Sequence, residues 1–553
     1  MNKDTLKKTS AQAFTSYANY SALIADEFEN SRKSVKQMLT TIGIGQIDQT
    51  ATGKGVIDAC RAKKYDLILC DFRLGNGKNG LQVLDELRQL NLIQPSAFFV
   101  IISAETSRDI VFGILESSPD DYLGKPFTEG VLSKRIERLF AQNVELEDIK
   151  KAFSNKHYEK VVTLCNAHIQ HEGRYSPWCK RTLIDAYLEL KSWEKLTTLC
   201  EETLAVRDID WALLGLVRMH VAKEDWNKAI KSAQTLVQKF PQCIQAYDLL
   251  ALSFENKGMH TQAQEVLESA LKISPLRHER QQKMVDISLE NGDSQSAVKA
   301  SQQTLKLVTN TINESPEQYF QLAEILSEAA TELTGSDKKR MASEALAALN
   351  KVSKKYTNDH EIRIKKALSE SRVYARQGQT KLRDETLASA QKLIEQSPDS
   401  NTIDVRIQLG KSLYLAGKEE EAKQAWKELA ANNTLTSAQS KAMSDFLDEP
   451  IPIGARGKAK AINGSGLAAY AQNDFDEAIE LFEEAIKISP HHPGLNMNYI
   501  QAALKKMEKK SKDAFLLAEC KQALTRAGHI TSTHKQYSRY IKLKKLISKS
   551  EQL

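Results

Sequence analysis

The sequence lacks the cysteine pairs that would indicate a disulfide framework or a zinc site. Its seven cysteines, spread over 553 residues, are odd in number and form no CxxC pair. Long apolar runs are missing too, since the longest in the amino-terminal region, residues 97–102, is far too short to span a membrane. The opening MNKDTLKKTSAQ has no apolar core, so we expect no signal peptide. These absences predict a cytoplasmic protein with no membrane span.

A strong excess of one charge is also missing. The 77 Lys and Arg against 71 Asp and Glu give a net charge of only +6, which makes no case for nucleic acid or an anionic membrane. No DNA-reading helix-turn-helix with a basic patch is recognisable, and we expect no nucleic-acid partner. The lysine-rich end at 535–549 favours a solvated helix face, because no aromatic stacking platform accompanies it.

The stretch YDLILCDFRLGNGKNG, residues 65–80, organises the amino-terminal part. Its apolar run, 65–70, ends at Asp71 and is followed by a Gly- and Asn-rich loop, which predicts a buried strand. Open α/β sheets place their chemistry at the carboxyl ends of strands. We therefore predict that Asp71 accepts a phosphoryl group.

The residues around this stretch alternate between strand and helix patterns, which predicts a doubly wound parallel (βα)5 sheet of flavodoxin-like order. The length of the chain predicts further structural units beyond it. The predicted strands are 21–25, 44–47, 65–70, 97–102 and 121–123, and the predicted helices are 30–40, 54–63, 81–90, 110–115 and 127–142.

In such a sheet the strand ends converge on one edge, which would bring together Asp26, Glu27, Asp71, Ser103 and Lys125. Three acids in one small site repel one another, so a divalent cation such as Mg²⁺ (or Mn²⁺) is expected. The lysine can neutralise incoming phosphoryl oxygens, and the serine can donate a hydrogen bond to the same group.

Four strings within residues 20–142 resemble the receiver domain of bacterial two-component response regulators. They are LIADEFENSR (23–32), YDLILCDFRL (65–74), VIISAET (100–106) and DYLGKPF (121–127). The loop after residue 71 looks one residue longer than usual and lacks the common proline after Leu74. That departure puts the loop path in doubt rather than the acceptor.

The resemblance implies a role for each matching residue. Glu27 and Asp71 would be metal ligands, with Asp26 assisting and the backbone carbonyl of Arg73 completing the protein's ligand set. Arg73 and Glu105 fall where the family varies residues that tune dephosphorylation.

The resemblance also implies a switch. A histidine kinase would phosphorylate the acceptor, and Lys125 would pair with the phosphate. Ser103 would be the switch hydroxyl, Tyr122 the aromatic rotamer switch, and Pro126 the proline preceded by a cis bond.

Beyond residue 142, strand patterns give way to a helical period. In each predicted helical hairpin, we take the residue that lies three positions before the apolar stripe of the second helix. These residues recur at spacings of 35, 33, 34 and 34, which indicates a repeat of helical hairpins. They are Tyr158, Trp193, Trp226, His260 and Ser294.

Three stretches, 247–275, 409–426 and 466–490, resemble tetratricopeptide repeats. Small residues such as Ala263, Ala270, Ala478 and Ala485 would let paired helices approach closely. The resemblance implies an all-α superhelical solenoid whose groove binds a protein or peptide.

The sequence thus predicts a receiver domain followed by a repeat array. The predicted segments are a polar leader (1–19), the receiver (20–142), repeats (143–310), divergent helical repeats (311–434), a Pro- and Gly-containing linker (435–465), and terminal repeats with a basic helical end (466–553).

We therefore predict a response regulator with a protein-binding output and no enzymatic activity beyond the receiver's own phosphorylation and dephosphorylation. Two alternatives remain open. The protein could be an inhibitor that sequesters a kinase or another regulator, or a constitutive scaffold with a vestigial receiver. A dimer formed through the receiver is also left open.

Overall fold

The computed structural model describes residues 17–431, 436, 439, 453–510, 513–528, 530 and 536–552. Most of the predicted leader and part of the predicted linker lie outside the described residues. The chain divides into two compact units, which we call the first and second units. The first comprises the described residues up to 281 together with 307–314, and the second comprises 282–306 and the described residues from 315 onward.

The first unit begins with five parallel strands in the order β2-β1-β3-β4-β5, which confirms the predicted doubly wound sheet. The strands are β1 (Ser21–Ala25), β2 (Gln46–Thr50), β3 (Leu67–Asp71), β4 (Phe98–Ser103) and β5 (Asp121–Gly124). The helices between and after them are α1 (Glu29–Ile42), α2 (Gly53–Ala62), α3 (Gly80–Gln89), α4 (Arg108–Glu116) and α5 (Glu129–Ser154).

Both faces of the sheet are covered, so β1, β3 and β4 are buried at every position and need continuous apolar sequence. Successive side chains point to opposite faces. Ile68 and Phe99 join the core formed with α2 and α3, whereas Leu67 and Phe98 join the core formed with α1 and α5. This layering fixes the strand ends, and hence the predicted site, on a rigid edge.

Helix α5 extends well past the predicted end at residue 142. Its Leu139 packs in the sheet core, while Leu146 and Ile149 pack in the core of the first repeats. The predicted boundary between receiver and repeats therefore lies inside one continuous helix, because a single amphipathic element serves both cores.

The repeats of the first unit are helical hairpins that begin where the 34-residue spacing predicts. Ala229 and Ala263 are fully buried, as expected for small residues between closely packed helices. The helices are α6 (Tyr158–Gln170), α7 (Ser176–Glu189), α8 (Trp193–Val206), α9 (Asp210–Ala222), α10 (Trp226–Lys239), α11 (Ile244–Asn256) and α12 (His260–Ile273). The next two along the chain, α13 (His278–Asn291) and α14 (Ser294–Val308), belong mostly to the second unit.

The second unit continues with helical hairpins. Trp426, 1% exposed, packs against Gly410, where a β-carbon would lie 2.2 Å from the indole nitrogen. Among the described helices, none is long and apolar enough to cross a membrane. They are α15 (Pro316–Ala329), α16 (Gly335–Lys355), α17 (His360–Arg376), α18 (Thr380–Gln396), α19 (Ile403–Leu415), α20 (Glu419–Ala431), α21 (Ile453–Ala471), α22 (Phe475–Ile488), α23 (Pro493–Lys510), α24 (Ala514–Arg526) and α25 (Tyr537–Gln552).

The predicted linker at 435–465 is wrong from residue 453 onward, because helix α21 begins there. The backbone amide of Gly454 donates to a carboxylate oxygen of Glu332 at 2.7 Å. A β-carbon on Gly457 would lie 2.4 Å from the carbonyl oxygen of Asn291. These glycines allow a helix to pack closely on its neighbours, whereas their sequence pattern by itself predicts a break.

Candidate phosphoryl-acceptor site

Asp71 is the last residue of β3, which lies between β1 and β4 in the sheet. The residue is 8% exposed. One carboxylate oxygen accepts a hydrogen bond from the backbone amide of Arg73 at 3.0 Å, and the other forms an ion pair with the ammonium of Lys125. The predicted acceptor is thus buried at the carboxyl end of the sheet, with a partner for each carboxylate oxygen.

Lys125 follows β5 directly and joins two carboxylates. Besides Asp71, its ammonium donates to Asp26 at 2.6 Å. The peptide bond between Lys125 and Pro126 is cis, as the sequence predicts. Parallel packing of β1, β3 and β5 has therefore brought together side chains that are 45 and 54 residues apart in sequence.

Asp26 has partners that the sequence reasoning missed. Its carboxylate accepts from the hydroxyl of Ser31 at 2.5 Å and from the backbone amide of Phe28 at 2.8 Å. The guanidinium of Arg32 donates to its backbone carbonyl at 2.7 Å. Ser31 and Arg32 lie within the first turn of α1 and belong to the string 23–32 that resembles the receiver family. Their place in that string is the signal from which a contact with Asp26 could have been predicted.

The three charges influence one another. Burial raises the pKa of Asp71, and the hydrogen bond from Lys125 offsets only part of that effect. Burial acts in the same direction on Asp26, but its hydrogen bonds from Lys125 and Ser31 prevail and lower its pKa. Burial opposes the charge on Lys125, yet the two carboxylates raise its pKa. The two buried carboxylates of Asp26 and Asp71 therefore share one ammonium group, which leaves the site with an excess of negative charge.

Glu27 lies at the rim of this edge and is exposed. Its carboxylate is close to the loop after β3, since a β-carbon on Gly75 would lie 3.3 Å from it. Gly75 has a φ of +68°, a conformation that glycine adopts readily. No group of three or more His, Cys, Asp or Glu side chains placed to hold a metal occurs among the described residues. The three predicted acids thus do not form such a group; two meet at Lys125.

The donor set still suits a hard cation. Asp26 and Asp71 offer carboxylate oxygens, the ligands that Mg²⁺ prefers, at a site whose negative charge one lysine does not balance. The residues present therefore fit the predicted metal, with the backbone carbonyl of Arg73 beside them.

Ser103 and Tyr122 meet at the loop between β4 and α4. The hydroxyl of Ser103 accepts from the backbone amide of Glu105 at 3.0 Å, and the hydroxyl of Tyr122 donates to the carbonyl of the same residue at 3.0 Å. Ser103 is 1% exposed. The two predicted switch residues therefore hold one loop residue from both sides.

Arg73 and Glu105, the predicted tuning residues, form an ion pair with each other. Arg73 is largely exposed, at 69%, and Glu105 is 20% exposed. The pair bridges the loop after β3 and the loop after β4. The sequence placed both residues near the site but gave no sign that they contact one another.

Comparison with known families agrees with this geometry. The response regulator receiver domain matches residues 22–137, and tetratricopeptide repeats match residues 244–275 and 459–492. The chain therefore carries a receiver domain of the response-regulator type and a helical repeat region with tetratricopeptide repeats.

Several relatives each match about a fifth of the chain. The chemotaxis protein CheY of Pseudomonas aeruginosa is 25% identical over 118 residues, which are 21% of this chain and 94% of that protein. CheY-3 of Vibrio cholerae is 23% identical over 122 residues, or 22% of this chain and 92% of that protein. A solved structure of CheY4 from Vibrio cholerae is 19% identical, with a TM-score of 0.20, and covers 22% of this chain and 98% of its own. A two-component response regulator structure from Clostridium difficile is 24% identical, with a TM-score of 0.21, and covers 22% and 97%.

Proposed function

We propose that Asp71 accepts a phosphoryl group from a histidine kinase and that the repeats carry the output by binding a protein. The observation that carries this proposal is the buried edge where the carboxylate of Asp71 shares one lysine with Asp26. Burying two carboxylates beside a single ammonium group lowers the stability of the fold, so a functional role explains their presence better than a structural one.

Each residue of this edge has a distinct task in the proposal. Lys125 stays beside Asp71 and screens the charge of the incoming phosphoryl oxygens, while Asp26 keeps the lysine in place. A bound Mg²⁺ would supply further positive charge between the carboxylates and the phosphoryl oxygens. The hydroxyl of Ser103 can donate to the new group from within the same edge.

The same contacts support a switch. Ser103 and Tyr122 both hold Glu105, so a hydroxyl that turns toward a phosphoryl group must change its hold on the loop that leads into α4. Phosphorylation at Asp71 would in this way alter the position of α4. The proposal needs no chemistry beyond phosphorylation of the receiver and its reversal.

The proposed output rests on the repeats. In the first unit a cavity of about 800 Å³ opens along α7 and α8, with the apolar Leu199 and Trp211 inside and Lys180, Lys195 and Arg207 around it. A lining of apolar and charged side chains is typical of surfaces that bind a peptide or a protein. A cytoplasmic location fits a kinase donor and is part of the proposal.

The test is phosphorylation by acetyl phosphate, followed by intact-protein mass, with Mg²⁺ or with EDTA. We expect a single phosphoryl adduct that requires the metal. An adduct that forms equally in EDTA would contradict the proposed metal site. Absence of any adduct would contradict the proposed function and favour a scaffold with a vestigial receiver.

A further inference from the structure

The receiver binds the loop edge of its own repeats. We call the surface of α3 and α4 that touches residues 274–280 and 307–313 the docking face; all of it lies within the first unit. Two side-chain amides of α3 form hydrogen bonds with residues 307–313. Gln82 donates to the carbonyl of Leu307 at 2.8 Å, and Gln89 donates to the side chain of Asn313 at 3.2 Å.

The centre of the docking face is a buried ion pair at the end of α4. The carboxylate of Glu116 pairs with the guanidinium of Arg280 and accepts from the hydroxyl of Ser274 at 2.6 Å. Both charged side chains are nearly inaccessible, at 8% and 1% exposure. On its other side Arg280 holds Asp248 through two bonds of 2.7 and 2.8 Å. An arginine of the repeats thus forms an ion pair with a carboxylate of the receiver that is 164 residues away in sequence.

Apolar packing accompanies the ion pair. Leu276, in the loop between α12 and α13, packs against the receiver core. It lies over Gly113 of α4, where a β-carbon would come within 3.1 Å of the leucine side chain. The absence of a side chain at Gly113 lets the repeat loop approach α4 closely.

Helix α4 is consequently held at both ends. The loop before it is held at Glu105 by Ser103 and Tyr122, beside the acceptor site, and its last residue is held by Arg280. The helix has only nine residues, so a shift at one end reaches the other. In the docked arrangement the carboxylate of Asp71 is engaged by Lys125 and Arg73, donors that a phosphoryl group would redirect.

We propose that docking and phosphorylation oppose each other through α4. Phosphorylation of Asp71 weakens the contact of α4 with residues 274–280. The docked repeats in turn disfavour the phosphorylated state, because the free energy of such coupling is reciprocal, and they slow its formation because α4 must shift as the phosphoryl group is accommodated. The inference rests on the proposed function and names the repeat edge as the surface on which the receiver acts.

The test measures the rate of phosphorylation by acetyl phosphate and Mg²⁺ in the full chain. Glu116→Gln keeps the shape of the side chain and removes its charge from the docking face. Ser274→Ala removes one docking bond from the repeat side and leaves the receiver untouched. Asp109→Asn is the matched control, since this acid also lies on α4 but is exposed. We expect the glutamine variant to be phosphorylated about fivefold faster or more, the alanine variant to change in the same direction by less, and the control to match the wild type.

Hydrogen exchange in the wild type gives the reciprocal readout. Phosphorylation is expected to speed exchange at 108–116 and at 274–280 together. An adduct with unchanged exchange in both segments, or unchanged rates in both variants, would overturn the coupling and leave the acceptor role of Asp71 intact. Failure of the wild type to form any adduct would instead overturn the proposed function, and this inference with it.

Discussion

Two clusters of buried charge, one in each unit, differ in their balance. At the receiver edge, Asp26 and Asp71 share the single ammonium of Lys125. In the second unit, Arg372 and Arg376 face Glu324 and Glu328, with ion pairs of 2.6, 2.9 and 3.1 Å. Two guanidinium groups face two carboxylates there, Lys411 lies close enough to interact with both acids, and the set ties α15 to α17. The receiver edge has more acids than cations, which suits an added metal ion, whereas in the second cluster the cations at least match the acids.

The largest effect is expected where the cluster of the second unit is broken. Arg376→Met removes the guanidinium that pairs with both Glu324 and Glu328 in a buried position, and it should lower the free energy of unfolding by about 3–5 kcal/mol. Calorimetric unfolding checks this value, with Arg340→Met as the control, because Arg340 is exposed and pairs with Asp337 on its own helix. The phosphoryl adduct should be unaffected. A loss of the adduct would show that the two clusters are not independent.

The next largest effect is expected at the unbalanced cluster. Lys125→Met removes the cation that the two acids share and should slow phosphorylation by about 100-fold or more, since the lysine screens charge that develops during transfer. The rate of adduct formation measures this effect. Lys134→Met, at an exposed lysine of α5, is the matched control and should phosphorylate at the wild-type rate. An unchanged rate in Lys125→Met would remove the lysine from the mechanism.

A smaller effect is expected at the switch hydroxyl. Ser103→Ala removes the acceptor of the Glu105 amide and the donor to a phosphoryl group, and one hydrogen bond to a charged group corresponds to about a tenfold change in rate. The adduct should therefore form, but about tenfold more slowly. A variant that phosphorylates as fast as the wild type would show that this hydroxyl does not contact the transferred group.

The smallest effect is expected at the ion pair between Arg73 and Glu105. Glu105→Gln breaks this pair, and because the guanidinium is largely exposed, the pair contributes only about 0–1 kcal/mol. The half-life of the adduct should change by less than about fivefold, with little change in its rate of formation. Complete loss of the adduct would contradict a tuning role, because it would make the pair essential for phosphorylation.

The sequence predicted the receiver well because its chemistry requires particular residue types at strand ends. Asp71, Ser103 and Lys125 lie where the apolar runs stop, so the sheet order alone brings them together. The repeat helices were predicted from spacing, and their starts at Trp193 and His260 follow from it.

What the sequence did not predict depends on contacts between distant segments. Nothing in local sequence connects Glu116 with Arg280, and the glycines of α21 indicate a break until their packing partners are known. The true end of α5 was missed for a similar reason, because its second half is buried by the repeats and not by the sheet.

The most direct test of the central claim is to locate the modification. Wild type and Asp71→Asn are treated with acetyl phosphate and Mg²⁺, any acyl phosphate is reduced with borohydride, and the peptide containing residue 71 is sequenced by mass spectrometry. We predict reduction of the aspartate at residue 71 in the wild type and no intact-protein adduct in a folded Asp71→Asn variant. An adduct of equal amount in that variant, or a reduced aspartate elsewhere, would contradict the account.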